Sequence, residues 1–301
     1  MERQAPNRPM QPHFVAYLFI LPACVMYTLF YMYPMLELGR LSLLRWDGLG
    51  VQRYVGFNNY GQLLNDSIFW QALQHNIVWV IGAMIIPVTG GLMIAILLVR
   101  SKMKGKVLFR TLYFIPQVLS SVVVAIIWGW IYNPTYGAVS TVLTGIGLES
   151  ILPATGILGS QDLALPALFI AWSWVHYGFT MVIFIAGLSN IDEVYFDAAK
   201  VDGATIWQQL RYVLLPFLRG PLTTAVLVTA ISAFQVFDLV FVMTNGGPGR
   251  STTVTTLYMI NNAFFFQKVG YGATIAVVFS GILFTLSLLF LRLRNAFGDT
   301  A

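Results

Sequence analysis

Residues 77–99 read IVWVIGAMIIPVTGGLMIAILLV, an apolar run without a single charged side chain. A helix that crosses about 30 Å of hydrocarbon needs roughly 20 apolar residues, and this run reaches that length. Only helices and closed barrels satisfy every backbone polar group inside a bilayer. Because the run lacks the alternating polarity of barrel strands, it predicts a membrane-spanning helix.

Five further apolar runs predict spans of the same kind, over residues 14–33, 111–132, 163–188, 221–243 and 273–291. None of the six runs contains Lys or Arg, and Asp238 is their only acidic residue. The whole chain is 57% hydrophobic and 10% charged, against about 25% charged in ordinary soluble domains. This composition excludes an ordinary soluble enzyme. We expect an all-α membrane protein with six transmembrane helices in a single domain over residues 1–301.

The positions of the basic residues give the orientation of these helices. Of the 17 Lys and Arg residues, 12 lie on one side of the predicted membrane: Arg3, Arg8, Arg100, Lys102, Lys104, Lys106, Arg110, Lys200, Arg211, Arg219, Arg292 and Arg294. The positive-inside rule assigns that side to the cytoplasm, so both termini are predicted to be cytoplasmic. The net charge of +5 is then a topology signal and does not indicate nucleic-acid binding.

The first run raises the alternative of a cleaved signal, because residues 21–24 resemble a lipoprotein cleavage box ending at the lone Cys24. The run continues for nine residues beyond Cys24, which is too long for the apolar core of a signal peptide. We therefore expect a retained first span. A single cysteine also excludes a disulfide framework within the chain.

Helix-disrupting residues interrupt two runs: Gly82, Pro87, Gly90 and Gly91 in the second, and Pro116 in the third. Small residues allow neighbouring membrane helices to pack closely. Broken helices also line the translocation paths of transporters. Both interpretations stay open from the sequence.

The segment between the fourth and fifth runs, residues 189–219, has the pattern of two short helices. Asn190 and Asp192 are good N-cap residues, and Gly203 can end the first helix by adopting a positive φ. A second helix is predicted from about Thr205, with one face formed by Ile206, Leu210, Val213 and Phe217 and with Gln208, Gln209 and Arg211 turned elsewhere. Such a helix–turn–helix at the cytoplasmic membrane surface indicates a docking platform.

This segment carries a resemblance to a known family. Its residues Asp197-Ala198-Ala199, Asp202-Gly203-Ala204 and Leu215-Pro216 resemble the EAA loop of the permeases of binding-protein-dependent ABC importers, with Asp in place of the usual Glu. Further segments are similar to the carbohydrate-importer permeases of the maltose and glycerol-phosphate type: Leu21-Pro22-Ala23, Phe237-Asp238, residues 244–248, residues 251–253 and residues 270–272.

The resemblance implies the type I ABC importer permease fold in a bacterial inner membrane, as a multi-pass protein. Its implied partners are a second homologous permease, two ATP-binding subunits, an extracytoplasmic sugar-binding protein and the lipid bilayer. The loop 189–219 is implied to couple the permease to the ATP-binding subunits through Asp197, Ala198, Ala199, Asp202, Gly203, Ala204, Leu215 and Pro216. The alternative is a solvated amphipathic helix without a partner. The implied substrate is a sugar or sugar derivative, neutral or phosphorylated.

Motifs of catalysis are absent from the sequence. No stretch reads G-x-x-x-x-G-K-[ST], H-E-x-x-H or G-x-S-x-G, and the three histidines are scattered. We therefore expect no metal site, no cofactor and no ATPase site in this chain, with ATP and Mg²⁺ bound by partner subunits. An ATP-independent secondary transporter or channel is the alternative function, and an intramembrane hydrolase is disfavoured because no catalytic set is visible.

Two groups of residues are candidates for a substrate path. Asp238, with Gln235 one helical turn earlier, either binds sugar hydroxyls or serves as a structural strut, since carboxylates are costly inside membranes. In the fourth run Trp172, His176 and Tyr177 either stack on sugar rings or pack in the core. Trp128, Trp130 and Tyr132 are typical of an interfacial aromatic belt.

Overall fold

The computed structural model describes residues 13–101 and 104–298, with side chains for 17–101 and 104–292. The predicted cytoplasmic charges Arg3, Arg8 and Lys102 lie outside the described residues, as does the side chain of Arg294. The described chain is almost entirely helical. Its helices are α1 (His13–Tyr27), α2 (Tyr33–Ser42), α3 (Asn58–Leu64), α4 (Ser67–Arg100), α5 (Lys106–Val118), α6 (Ser121–Ile131), α7 (Ala138–Gly145), α8 (Ala164–Ser189), α9 (Glu193–Val201), α10 (Ile206–Gln208), α11 (Leu215–Phe217), α12 (Arg219–Phe234), α13 (Asp238–Met243), α14 (Thr255–Ile260) and α15 (Val269–Gly298).

Shorter elements connect some of these helices. Three π-helical segments, Thr28–Met32, Gln209–Leu214 and Asn261–Phe265, continue directly from a preceding α-helix, and Glu149–Ile151 is a 3₁₀ turn. Two short strands, β1 (Leu44–Arg45) and β2 (Arg53–Tyr54), pair antiparallel, with Leu44 opposite Tyr54 and Arg45 opposite Arg53.

The chain divides into two compact units, the smaller of which comprises residues 1–64 and 262–277. Within this unit the buried amide of Asn59 donates to the carbonyls of Ser42 and Leu44, at 2.9 Å each. The hydroxyl of Thr274 also donates to the Ser42 carbonyl, at 3.0 Å. These bonds satisfy buried carbonyls where α2 gives way to the strand pair, because helix ends leave such groups without partners.

The larger unit, residues 65–261 and 278–301, is built around α8, which packs against α4, α5 and α12. The α4–α8 contact depends on small residues. A Cβ added at Gly90 would overlap the Tyr177 ring, and one added at Gly91 would overlap the Thr180 hydroxyl and the Met181 backbone. Thr180 in turn donates to the Pro87 carbonyl at 2.8 Å. The prediction of close packing at the α4 glycines is confirmed.

Four described helices are long and apolar enough to cross a membrane without a sharp bend, at Tyr17–Ser42, Ser67–Arg100, Ala164–Ser189 and Val269–Arg292. Two bent pairs bring the number to six: α5 with α6, bent by 103°, and Ile206–Phe217 with α12, bent by 74°. The six predicted spans are thus matched by helices. α4 begins ten residues before the predicted span, because Asp66 caps it by accepting from the amides of Ile68 and Phe69.

Two predicted spans are not continuous helices, however. The run 111–132 breaks at Leu119 and Ser120, both extended, three residues beyond the helix-disrupting Pro116. The run 221–243 breaks at residues 235–237, where Phe237 has φ −145° and ψ −63°. Asp238 therefore begins a new six-residue helix and does not continue the face of Gln235 by helical spacing.

Candidate functional site

The cytoplasmic segment 189–219 begins with the short helix α9, whose ends are those that the sequence predicts. The Asp192 carboxylate caps it by accepting from the Val194 amide at 3.0 Å. Gly203 ends it with φ +72°. Thr205 then caps the next helix in a capping box with Gln208. These three predictions are confirmed.

Helix α9 is anchored to the larger unit by Phe196. This side chain is 9% exposed and belongs to the hydrophobic cluster that contains Leu98 of α4, Leu188 of α8 and Leu214. The guanidinium carbon of Arg100, the last residue of α4, lies 3.8 Å from the centroid of the Phe196 ring. The aromatic ring therefore joins α9 to the ends of two long helices.

The residues of the EAA-like pattern lie mostly on the outer surface of this segment. Asp197, Ala198, Asp202, Gly203 and Pro216 are exposed, while Ala199, Ala204 and Leu215 are half-buried. Asp197 pairs with Lys200 at 2.7 Å, but both side chains are solvent-exposed and such a pair contributes little to stability. Large apolar side chains are exposed on both sides of Gly203 in the sequence, namely Val201, Ile206 and Trp207.

The second half of the segment buries a different face from the one predicted. Ile206 is 79% exposed, whereas Gln209 is buried and donates to the Ala204 carbonyl at 3.0 Å. The reason is the π-helical segment Gln209–Leu214, in which each turn holds an additional residue and the buried face shifts along the chain. Leu214 consequently takes an inward position that α-helical spacing did not assign to it.

Four of the five candidate path residues line a single cavity of about 270 Å³ in the larger unit. Trp172 and His176 come from α8, and Gln235 and Asp238 come from the break between α12 and α13. The remaining lining residues are Leu119, Ser121, Val124, Val175, Ser232, Val236, Phe237 and Leu239. The cavity thus lies where two broken helices meet the continuous helix α8.

Tyr177 does not line this cavity. It lines an apolar groove of about 290 Å³ with Phe109, Tyr113 and Trp174, among others, and its ring packs over Gly90. Its place on α8, one residue beyond His176, turns it toward α4 and α5. The structure therefore separates Tyr177 from the other four candidates.

The aromatic side of the cavity is held by stacking. The imidazole of His176 stacks on Trp172 with 3.6 Å between ring centroids, and its Nδ1 lies 2.9 Å from the Trp172 carbonyl oxygen. A carbonyl only accepts, so Nδ1 carries the proton and, in the neutral ring, Nε2 is an acceptor. Trp172 itself is only 6% exposed and also stacks with Phe169, so it packs in the core.

The polar side of the cavity is available for a ligand. Gln235 and Asp238 are exposed, and neither side chain has a hydrogen bond or ion pair within the part of the chain that the structure describes. The two serines of the lining, Ser121 and Ser232, were not singled out from the sequence. The available signal was weak, since Ser120 and Ser121 only mark an interruption after Pro116.

Comparison with known proteins places these features in one family. The family model described as the binding-protein-dependent transport system inner membrane component matches residues 87–296. The chain belongs to this family. The match includes the segment 189–219 and all four candidates that line the cavity.

Relatives of this inner membrane component are similar over most of their length. The lactose transport system permease protein LacF of Rhizobium radiobacter is 32% identical over 265 residues, which cover 87% of this chain and 88% of that protein. The multiple sugar-binding transport system permease protein MsmF of Streptococcus mutans is 30% identical over 280 residues, which cover 93% and 94%.

A solved structure has the same fold. It is the crystal structure of a bacterial alginate ABC transporter in complex with an alginate pentasaccharide-bound periplasmic protein, and the match has a TM-score of 0.83 at 18% identity over 96% of each chain. This inner membrane component therefore has the fold of an ABC importer permease. It is a multi-pass protein of the inner membrane and the permease subunit of a binding-protein-dependent transporter.

Proposed function

We propose that this permease carries a sugar or sugar derivative, delivered by an extracytoplasmic sugar-binding protein, through the cavity that Trp172, His176, Gln235 and Asp238 line. The observation that carries the proposal is the convergence of polar and aromatic candidates from distant segments on that cavity. The names of the relatives LacF and MsmF support a sugar as the cargo.

The chemistry of the lining supports a neutral substrate. The Gln235 amide both donates and accepts, while the Asp238 carboxylate accepts, so together they match the donor and acceptor character of sugar hydroxyls. The lining contains no Lys or Arg that would balance an anionic group. Because Gln235 and Asp238 are exposed in the single chain, a second homologous permease would complete the enclosure.

We also propose that the segment 189–219 docks on ATP-binding subunits, which bind ATP and Mg²⁺ and supply the energy. This chain would then need no cofactor of its own. The anchoring of α9 through Phe196 supports the proposal, since a rigidly attached helix can pass a partner's movement to α4 and α8. The exposed apolar side chains Val201, Ile206 and Trp207 are of the kind that protein interfaces bury.

The coupling part is tested by Gly203→Val, which leaves open space around the new side chain but strains a backbone at φ +72°. The transporter is expressed with its native partner chains and purified through a tag on this permease. We expect the variant to retain at least ten-fold less ATP-binding subunit than the unmodified chain.

The matched control is Gly147→Val, because Gly147 also has a positive φ, of 74°, with nothing within 4 Å of an added Cβ. Gly147 lies in the predicted external region, so its substitution should leave ATPase retention unchanged. Equal losses in both variants would contradict docking at this segment. Uptake of lactose by reconstituted complexes tests the alternative function, since a secondary transporter or channel would carry sugar without ATP.

A further inference from the structure

The break between α12 and α13 is held by a residue on a different helix, Asn76 of α4. Asn76 is completely buried. Its Nδ2 donates to the carbonyl of Phe234 at 3.0 Å, and its Oδ1 accepts from the backbone amide of Thr255 at 2.8 Å. Phe234 is the last residue of α12 and Thr255 is the first of α14, so both bonded groups lack a partner within their own helix.

A second bond reaches the same break from α14. The hydroxyl of Thr256 donates to the carbonyl of Val236 at 3.0 Å. Asn76 and Thr256 therefore hold the two backbone carbonyls on either side of Gln235. Helix α14 is itself fixed to α4, because the phenol of Tyr258 donates to the Asp66 carboxylate at 2.6 Å.

These contacts explain why the chain adopts a break here. A buried carbonyl without a hydrogen bond is unfavourable, and a continuous helix would normally supply the partner. Asn76 and Thr256 supply partners from outside, so the backbone at residues 235–237 leaves the helical path without losing these bonds. The departure is what brings Gln235 and Asp238 to the cavity wall.

We propose that Asn76 and Thr256 are positioning residues, which fix the break at 235–237 so that Gln235 and Asp238 face the cavity. The two residues touch the backbone and do not line the cavity themselves. The consequence for sugar binding rests on the proposed function, but the fixing of the break does not.

The test compares two substitutions of Thr256 that separate hydrogen bonding from packing. Thr256→Val keeps the shape and loses the donor, whereas Thr256→Ser keeps the donor and loses a methyl group. Amide hydrogen exchange of a peptide covering residues 230–241 is measured by mass spectrometry in the assembled transporter in nanodiscs. Loss of one hydrogen bond should speed the exchange about five-fold in Thr256→Val, while Thr256→Ser exchanges at the unmodified rate.

Thr229→Val is the matched control, because Thr229 on α12 is fully buried and its hydroxyl has no hydrogen-bond partner among the described residues. It should leave the exchange unchanged. Asn76→Leu, nearly isosteric, should accelerate the same peptide more than Thr256→Val. A role in packing alone would reverse the order of the Thr256 variants, and that order would overturn the proposal.

The exchange measurement needs no sugar, so it separates this proposal from the proposed function. If the Thr256 variants behave as expected while Asp238→Asn leaves sugar uptake unaltered, the break is held as described and the cavity is not the sugar site. If the exchange of the peptide does not respond to either Thr256→Val or Asn76→Leu, the positioning role is wrong, whatever the uptake measurements give.

Discussion

Phe196→Ala removes the side chain that attaches helix α9 to the rest of the permease. Truncating a well-buried Phe to Ala costs about 3–5 kcal/mol, and the contact with the Arg100 guanidinium adds about 0.5–1 kcal/mol. Helix α9 has nine residues, a length at which an isolated helix is unstable in water. The loss should therefore appear as local detachment of α9, with the long helices still folded.

The magnitude sets the assay. A local loss of about 3 kcal/mol raises the open population on the order of 10²-fold, and amide exchange within residues 193–203 should accelerate by that factor. The assembled transporter should still hydrolyse ATP while transporting less sugar for each ATP consumed.

Val194→Ala is the control on the same helix, because Val194 is 66% exposed. It should leave both the exchange and the uptake per ATP unchanged. The anchoring argument fails if Phe196→Ala and Val194→Ala give the same exchange rates in residues 193–203.

Two further changes test packing and the cavity. Gly91→Ala places a methyl group against the Thr180 hydroxyl and should destabilise the protein by about 1–3 kcal/mol, lowering its apparent Tm in thermal unfolding, whereas Gly129→Ala, with nothing within 4 Å of the added Cβ, should leave Tm unchanged or raise it. Equal shifts would refute the close-packing explanation. Asp238→Asn should raise the KM of ATP-driven sugar uptake about ten-fold; the exposed Asp162→Asn serves as control, and an unaltered KM in Asp238→Asn would remove the substrate role.

The local signals of the cytoplasmic segment were readable from the sequence because they depend on neighbours in the chain. Asp192 caps the amide two residues later, and Gly203 supplies a positive φ at a helix end. Both effects act within one turn of backbone. The buried position of Gln209 was not readable, since it depends on a π-helical turn that packing against the larger unit stabilises.

The cavity illustrates the other limit. Trp172, His176, Gln235 and Asp238 were selected one at a time for their chemistry, and their place in membrane-spanning runs followed from hydropathy. Their convergence depends on a break whose partners, Asn76 and Thr256, are remote in the sequence. A helical period applied to residues 221–243 cannot indicate where external hydrogen bonds replace those of the helix.

Helix α4 joins the two regions discussed above. It runs without interruption from Asn76, which holds the break, to Arg100, which lies against Phe196. These 24 steps correspond to about 36 Å, so α4 is a lever with the cytoplasmic segment at one end and the cavity wall at the other. A tilt of about 5° around its middle displaces each end by about 1.5 Å, enough to break a 3.0 Å hydrogen bond. The shape of the cavity and the position of α9 are therefore mechanically one variable.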